Sequence, residues 1–185
     1  MPERQKHGFD FEKYIAGQYN VILNSSYTSK WDGELNGHPV SIKHIKKGNA
    51  VDLADLFRQA SIEEDFYMFL DYYTDTSDEI HILYIPANEW KKYFMPLKDF
   101  ETLFKNALNN VSNDPKDDNK WTALRKECVD YWKNNTNQII TVNGKRDHKT
   151  QKRWQCSINN TNMHKEILPK YKISEEELNA KRNQK

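Results

Sequence analysis

Residues 27–59 read YTSKWDGELNGHPVSIKHIKKGNAVDLADLFRQ, and the fold turns on how they are parsed. Asn36-Gly37 is a short hairpin signal, because both residue types tolerate positive φ. It joins a first arm, 27–35, to a second, 39–45. Side chains alternate along a strand. Val40, Ile42 and, less regularly, His44 therefore take one face of the second arm, and Ser41, Lys43 and Ile45 take the other. Gly48-Asn49 ends the run, and a helix is expected over 50–62, with Leu53, Leu56, Phe57 and Ala60 apolar and Asp52, Asp55 and Gln59 on another face. In this geometry Asp32 on one arm and Lys43 on the next point into the same space.

Upstream, residues 8–22 carry helical spacing: Phe11, Ile15 and Gln18/Tyr19 form one stripe, with Phe9, Glu12 and Ala16 beside it. Downstream, 65–73 and 79–85 read as two strands joined by a turn at 74–78. IHILYI (80–85) is apolar enough for a buried central strand. The order so far is helix, hairpin, helix, two strands. Helices are then expected over 88–94, 97–110 and 121–133, a surface loop over 112–120, and strands at 139–142 and 154–158. The polar stretch 159–185 reads as an appendage, with a capping box at Ser174 and Glu177 opening a short helix.

At 185 residues the chain suggests one domain over 1–158, with a core near 8–86. Ten Tyr, eight Phe and five Trp argue against disorder. The formal net charge is +1, so a polyanion partner has to be argued from local charge. Cys128 and Cys156 form no CxxC pair and no disulfide framework, which suits a reducing, cytoplasmic setting. No apolar run approaches a membrane span, and the polar N-terminus is no signal peptide. His38, His81 and His164 have no zinc-ligand spacing. Neither a phosphate-binding glycine loop nor a Ser-His-Asp order is present.

The order of elements, with WDGEL (31–35), then VSIK (40–43) on the next strand and a helix after it, resembles the PD-(D/E)XK nuclease superfamily and, within it, the type II restriction endonucleases. The resemblance covers about 8–86. It implies an α/β fold with a central mixed sheet flanked by helices, the αβββαβ core, here followed by a helical and β extension. Asp32 matches the family's first acid and Lys43 its lysine. Ser41 stands at the catalytic position of the second acid, where some members carry a neutral polar residue. A second carboxylate must then come from elsewhere: Glu12, because members often add a glutamate from the first helix, or Glu34, two residues past Asp32. The resemblance implies Mg2+ (or Mn2+) held by Asp32, Glu12 or Glu34 and the Ile42 carbonyl. Lys43 would assist the attacking water, and hydrolysis would leave a 5′-phosphate.

Lys46 and Lys47 extend a basic patch past this site, and Arg58 and Gln59 on the following helix are further polar candidates. A second basic stretch, GKRDHKTQKRWQ (144–155), places Lys145, Arg146, His148, Lys149, Gln151, Lys152 and Arg153 between two strands. Lysines neutralise phosphates, and Arg, Gln and His reach base edges. The expected partner is double-stranded DNA, cut at a short specific site by a homodimer, since symmetric sites mirror two-fold protein symmetry. The alternatives are a non-catalytic DNA-binding module on the same fold and a repair or phage nuclease without strict specificity.

Overall fold

The computed structural model describes residues 3–26, 29–74, 76–147, 149 and 151–182. They belong to two compact units, one from 1–49, 63–89 and 160–185, the other from 50–62 and 90–159.

The first unit is α/β. Asn36 and Gly37 sit at φ 54° and 74°, both positive as a type I′ turn requires. They join β2 (Gly33–Leu35) to β3 (His38–Lys46) as an antiparallel pair. The first arm is much shorter than 27–35. Residues 27 and 28 lie outside the described residues, and 29–32 form a loop. The cause is local: β1 (Ile22–Leu23) pairs back onto Gly33 and Glu34. Asn24 also ties the loop down, its N–H donating to the Asp32 carbonyl at 3.0 Å and its Nδ2 to the Trp31 carbonyl at 2.9 Å. Asp32 therefore stands one residue before the strand.

β3 pairs in parallel with β5 (Phe66–Tyr73), and β5 antiparallel with β6 (Ile80–Ile85), which carries β9 (Lys172–Ile173) on its other side. The result is a mixed six-stranded sheet in the order β1-β2-β3-β5-β6-β9. On one face, α1 (Glu3–Tyr19) lays Phe11, Ile15 and Tyr19 against Val40, Ile42, Tyr67 and Phe69. On the other face, Tyr72 and His81 meet His164.

That contact revises the reading of 159–185. Residues 160–182 are part of the first unit: α6 (Asn160–Asn162), a π-helical turn (Met163–Ile167), α7 (Leu168–Tyr171), β9 and α8 (Glu175–Arg182). Met163 and Ile167 are fully buried, and Leu178 joins the α1 core. The expected capping box forms, with Ser174 Oγ accepting from the Glu177 N–H and the Glu177 carboxylate from the Ser174 N–H. The polar composition hid a few apolar anchors at wide spacing.

The helix expected over 50–62 is β4 (Val51–Asp55) followed by only five helical residues, α2 (Leu56–Ala60). Val51 and Leu53 alternate with an exposed Asp52, and β4 pairs with a distant strand. Asp55 caps α2 by accepting from the Arg58 N–H at 2.8 Å. Tertiary pairing thus overrode the helical spacing of Leu53, Leu56 and Ala60.

In the second unit β4, β8 (Lys152–Ile158) and β7 (Ile140–Arg146) form a three-stranded antiparallel sheet. α3 (Ala87–Lys92) leads into this unit, followed by α4 (Leu97–Asn109) and α5 (Asp118–Asn135), the last of which opens three residues before the expected 121. Its tryptophans Trp121, Trp132 and Trp154 are core. Trp154 and Trp132 are buried and donate their indole N–H groups to the carbonyls of Phe104 and Ile140, each at 2.8 Å. Among the described residues, no helix is long and apolar enough to cross a membrane.

Gly33 is required for the β1–β2 approach. A Cβ there would lie 2.6 Å from the Ile22 carbonyl oxygen and 2.8 Å from Val21 Cγ1. Gly33→Ala is therefore expected to destabilise the chain by about 1–3 kcal/mol, as overpacking does, read from urea unfolding.

Candidate active site

β2 is shorter than β3, so the middle of β3 has an open edge. There the backbone N–H of Ile42 has lost its strand partner, and an unpaired buried donor is costly. Asp32 fills the gap. Its own N–H donates to the Val40 carbonyl at 2.9 Å, which holds it beside the strand. Its Oδ2 then accepts from the Ile42 N–H at 2.6 Å and from Ser41 Oγ at 3.4 Å. Ser41 is thus a donor to the acid rather than a replacement for the missing one. Asp32 Oδ1 has no protein partner among the described residues. The N–H and C=O of one strand residue leave toward the same edge, so the Ile42 carbonyl shares the edge that Asp32 occupies.

Glu12 comes to the same place from α1. Phe11 and Ile15 bury their side of the helix in the core and leave Glu12 half-buried. Its carboxyl is held above the ordinary 4.5, first by burial, then by the negative charge of Asp32, with Lys43 pulling the other way. Glu12 therefore feels the charges of both Asp32 and Lys43. Glu12 and Lys43 make no hydrogen bond or ion pair among the described residues. Glu34 stands apart: it is exposed on β2 and does not line the cleft described next.

A cleft of about 600 Å³ opens at this point. Glu12, Asp32, Asp10 and Lys13 line it with Asn24, Ser25, Ser29 and Trp31. Among the described residues, no three His, Cys, Asp or Glu side chains are grouped so as to hold a metal ion together. The available donors are two carboxylates and a backbone carbonyl, all hard oxygens. That set suits a small divalent cation that keeps several waters or takes phosphate oxygens.

The basic candidates separate by unit and by use. Lys46 and Lys47 are exposed at the end of β3, Lys47 lying 3.9 Å from Glu79. Arg58 and Gln59 lie in the second unit, where Gln59 Nε2 donates to the Leu53 carbonyl at 2.8 Å. Lys145, Lys149 and Gln151 are exposed, and Arg153 is half-buried. His148 lies outside the described residues. Arg146 is committed internally. Its side chain is 2% exposed. Nε donates to the Ser112 carbonyl at 2.8 Å, Nη1 to Asp118 at 2.6 Å, and Nη2 to the Asp114 carbonyl. Lys152 Nζ donates to the Val111 carbonyl at 2.7 Å. The expectation that Arg146 reads a base edge therefore gives way to a structural role, because its guanidinium fork is already filled.

One polar pair beside the site escaped the sequence reading. His44 Nδ1 lies 2.7 Å from Oδ2 of the fully buried Asp71. The imidazole is stacked between Phe11 and Tyr73, with centroids at 4.8 and 4.2 Å. Burial raises the Asp71 carboxyl, while the His44 hydrogen bond lowers it. An acid inside the apolar run FYMFLDYY was the available signal, since such a group needs a buried partner. The pair joins β3, β5 and α1 next to Lys43.

Compared with protein-family models, curated proteins and solved structures, the chain matches none.

The raised Glu12 carboxyl has a stability consequence. The folded chain holds this proton more tightly than the unfolded chain does. The associated stability is complete below 4.5 and is lost as pH rises through the higher folded value. Glu12→Gln stays neutral throughout. In chelator it is expected to melt with the wild type near about pH 4 and above it near about pH 8, measured by thermal unfolding at both.

Proposed function

We propose that the chain is a divalent-metal-dependent DNA endonuclease of the PD-(D/E)XK kind, most simply a type II restriction enzyme. Glu12 and Asp32 lining one cleft at the open edge of β3, with the charge of Lys43 acting on Glu12, carry this reading. Two carboxylates share this cleft, and Lys43, whose charge acts on Glu12, has no ion-pair partner among the described residues.

Asp32 Oδ1, Glu12 and the Ile42 carbonyl would hold Mg2+ or Mn2+, which supplies charge neutralisation and a more acidic water when bound. The rest falls to the chain. The Ile42 N–H and Ser41 Oγ fix the Asp32 carboxylate, so its free oxygen is pre-aimed. Lys43 brings a positive charge to the oxygens that gain negative charge as water attacks phosphorus. The P–O3′ bond breaks, O3′ takes up a proton, and the phosphate stays on the 5′ end of the product. Sequence-specific duplex cleavage by a two-fold dimer completes the proposal.

Ser41 supports a second reading. With a hydroxyl where the second acid is expected, the same fold would serve as a DNA-binding module without hydrolysis. A supercoiled-plasmid digest separates the two. With Mg2+ the wild type is expected to give discrete products, EDTA to abolish them, and Lys43→Ala to slow cleavage by about 10²-fold or more with an unchanged melting temperature. Intact plasmid in every lane, with a gel shift retained, would establish the second reading.

A further inference from the structure

We infer that the outer face of the β7–β8 ribbon is a docking surface for the phosphate backbone of duplex DNA, with Lys145 and Arg153 as its cations. This deepens the nuclease reading and rests on it for the partner.

The strand register sets up the problem. Lys145 lies directly opposite Arg153, and Arg146 directly opposite Lys152. Like charges opposed across antiparallel strands repel, and here two successive rungs carry them. Side chains alternate between the faces of a sheet, so the two rungs point opposite ways. The Arg146/Lys152 rung is neutralised within the unit by Asp118 and the carbonyls of Ser112, Asp114 and Val111.

The Lys145/Arg153 rung has no such compensation. Neither side chain has a carboxylate partner among the described residues, and Arg153 Nε is shielded from solvent with no acceptor. Acids on this face are engaged: Asp55, opposite Gln155, accepts from the Arg58 N–H as the cap of α2. Asp147 Oδ1 accepts from the N–H groups of Lys149 and Gln151 and so shapes the ribbon's tip. Asp52 accepts from Gln155 Nε2 and from the Ala54 N–H. An anion supplied from outside would relieve the rung.

The shape narrows the anion to a duplex backbone. β4 stops opposite Gln155, so the rungs beyond it form a two-stranded ribbon. A ribbon of that width fits the major groove, with phosphates at its rims. The ribbon is also firmly seated. Gly144 leaves room for the Trp121 ring, which a Cβ would meet at 2.5 Å, and Trp154 is fully buried below it. A preformed cationic face loses little entropy on binding.

Fluorescence anisotropy with a labelled duplex in EDTA, over a series of salt concentrations, tests this without cleavage. Lys145→Ala and Arg153→Ala are each expected to weaken binding and to reduce the slope of log K against log salt by about 1. Removing one charge of a repelling pair should leave the melting temperature unchanged or higher, so loss of fold does not confound the result. Arg146→Ala is expected to lower the melting temperature instead, because it opens the 112–118 loop. If the double variant Lys145→Ala/Arg153→Ala keeps wild-type affinity and salt slope, or if the wild type does not bind duplex DNA, the inference is overturned. A wild type that binds through these residues but never cuts plasmid would leave the ribbon in place and remove the nuclease reading.

Discussion

A 2.6 Å hydrogen bond from the Ile42 amide to the Asp32 carboxylate does two things at once. It closes the edge of β3 where β2 runs out, which a strand interior requires. It also fixes the acid's position to the backbone, so the site inherits the rigidity of the sheet. Glu12 and Lys43 are placed relative to that point, one by α1 and the other by β3 itself. Charge-assisted bonds of this kind are worth more than neutral ones, and this one joins the part of the chain before the turn to the part after it.

Much of the first unit could be read from local chemistry. Asn36-Gly37 demanded positive φ and took it. The alternation of Val40 and Ile42 against Ser41 and Lys43 survived into β3 because one side of it faces the α1 core. The strands near 65–73 and 79–85 followed from apolar runs that leave few alternatives. What failed shares a cause. β4 and β9 are short strands whose partners are more than eighty residues away in sequence, and neither window contains its partner's signal. The same holds for Leu178, the buried apolar residue of a charged helix, whose importance comes from Phe11 and Ile15.

The site divides along the same line. As candidates, Asp32 and Lys43 were visible because a hairpin brings them together, and Glu12 because the family resemblance implies a glutamate from the first helix. Glu12 was already favoured over Glu34 by the family resemblance, and the tertiary arrangement adds that Glu12 lines the cleft while Glu34 does not. The His44–Asp71 pair needed that arrangement, because it depends on parallel register between β3 and β5. The basic segment 144–155 stood out by composition, but composition could not sort its cations. Register and the 112–118 loop assign Arg146 and Lys152 inward and leave Lys145 and Arg153 outward.

The division of the first unit among 1–49, 63–89 and 160–185 bears on the order in which the chain can assemble. Synthesis is vectorial, and the hairpin, α1 and the central strands emerge long before residues 163–178. Until those residues leave the ribosome, β6 has no β9 on its outer side, and the α1 core lacks Leu178. The second unit, drawn from 50–62 and 90–159, has all its strands earlier. Contacts of such long sequence separation form slowly, and partly finished sheets expose edges that favour aggregation. The nascent chain therefore passes through a stage with an incomplete sheet around the candidate site, and residues 160–182 end that exposure.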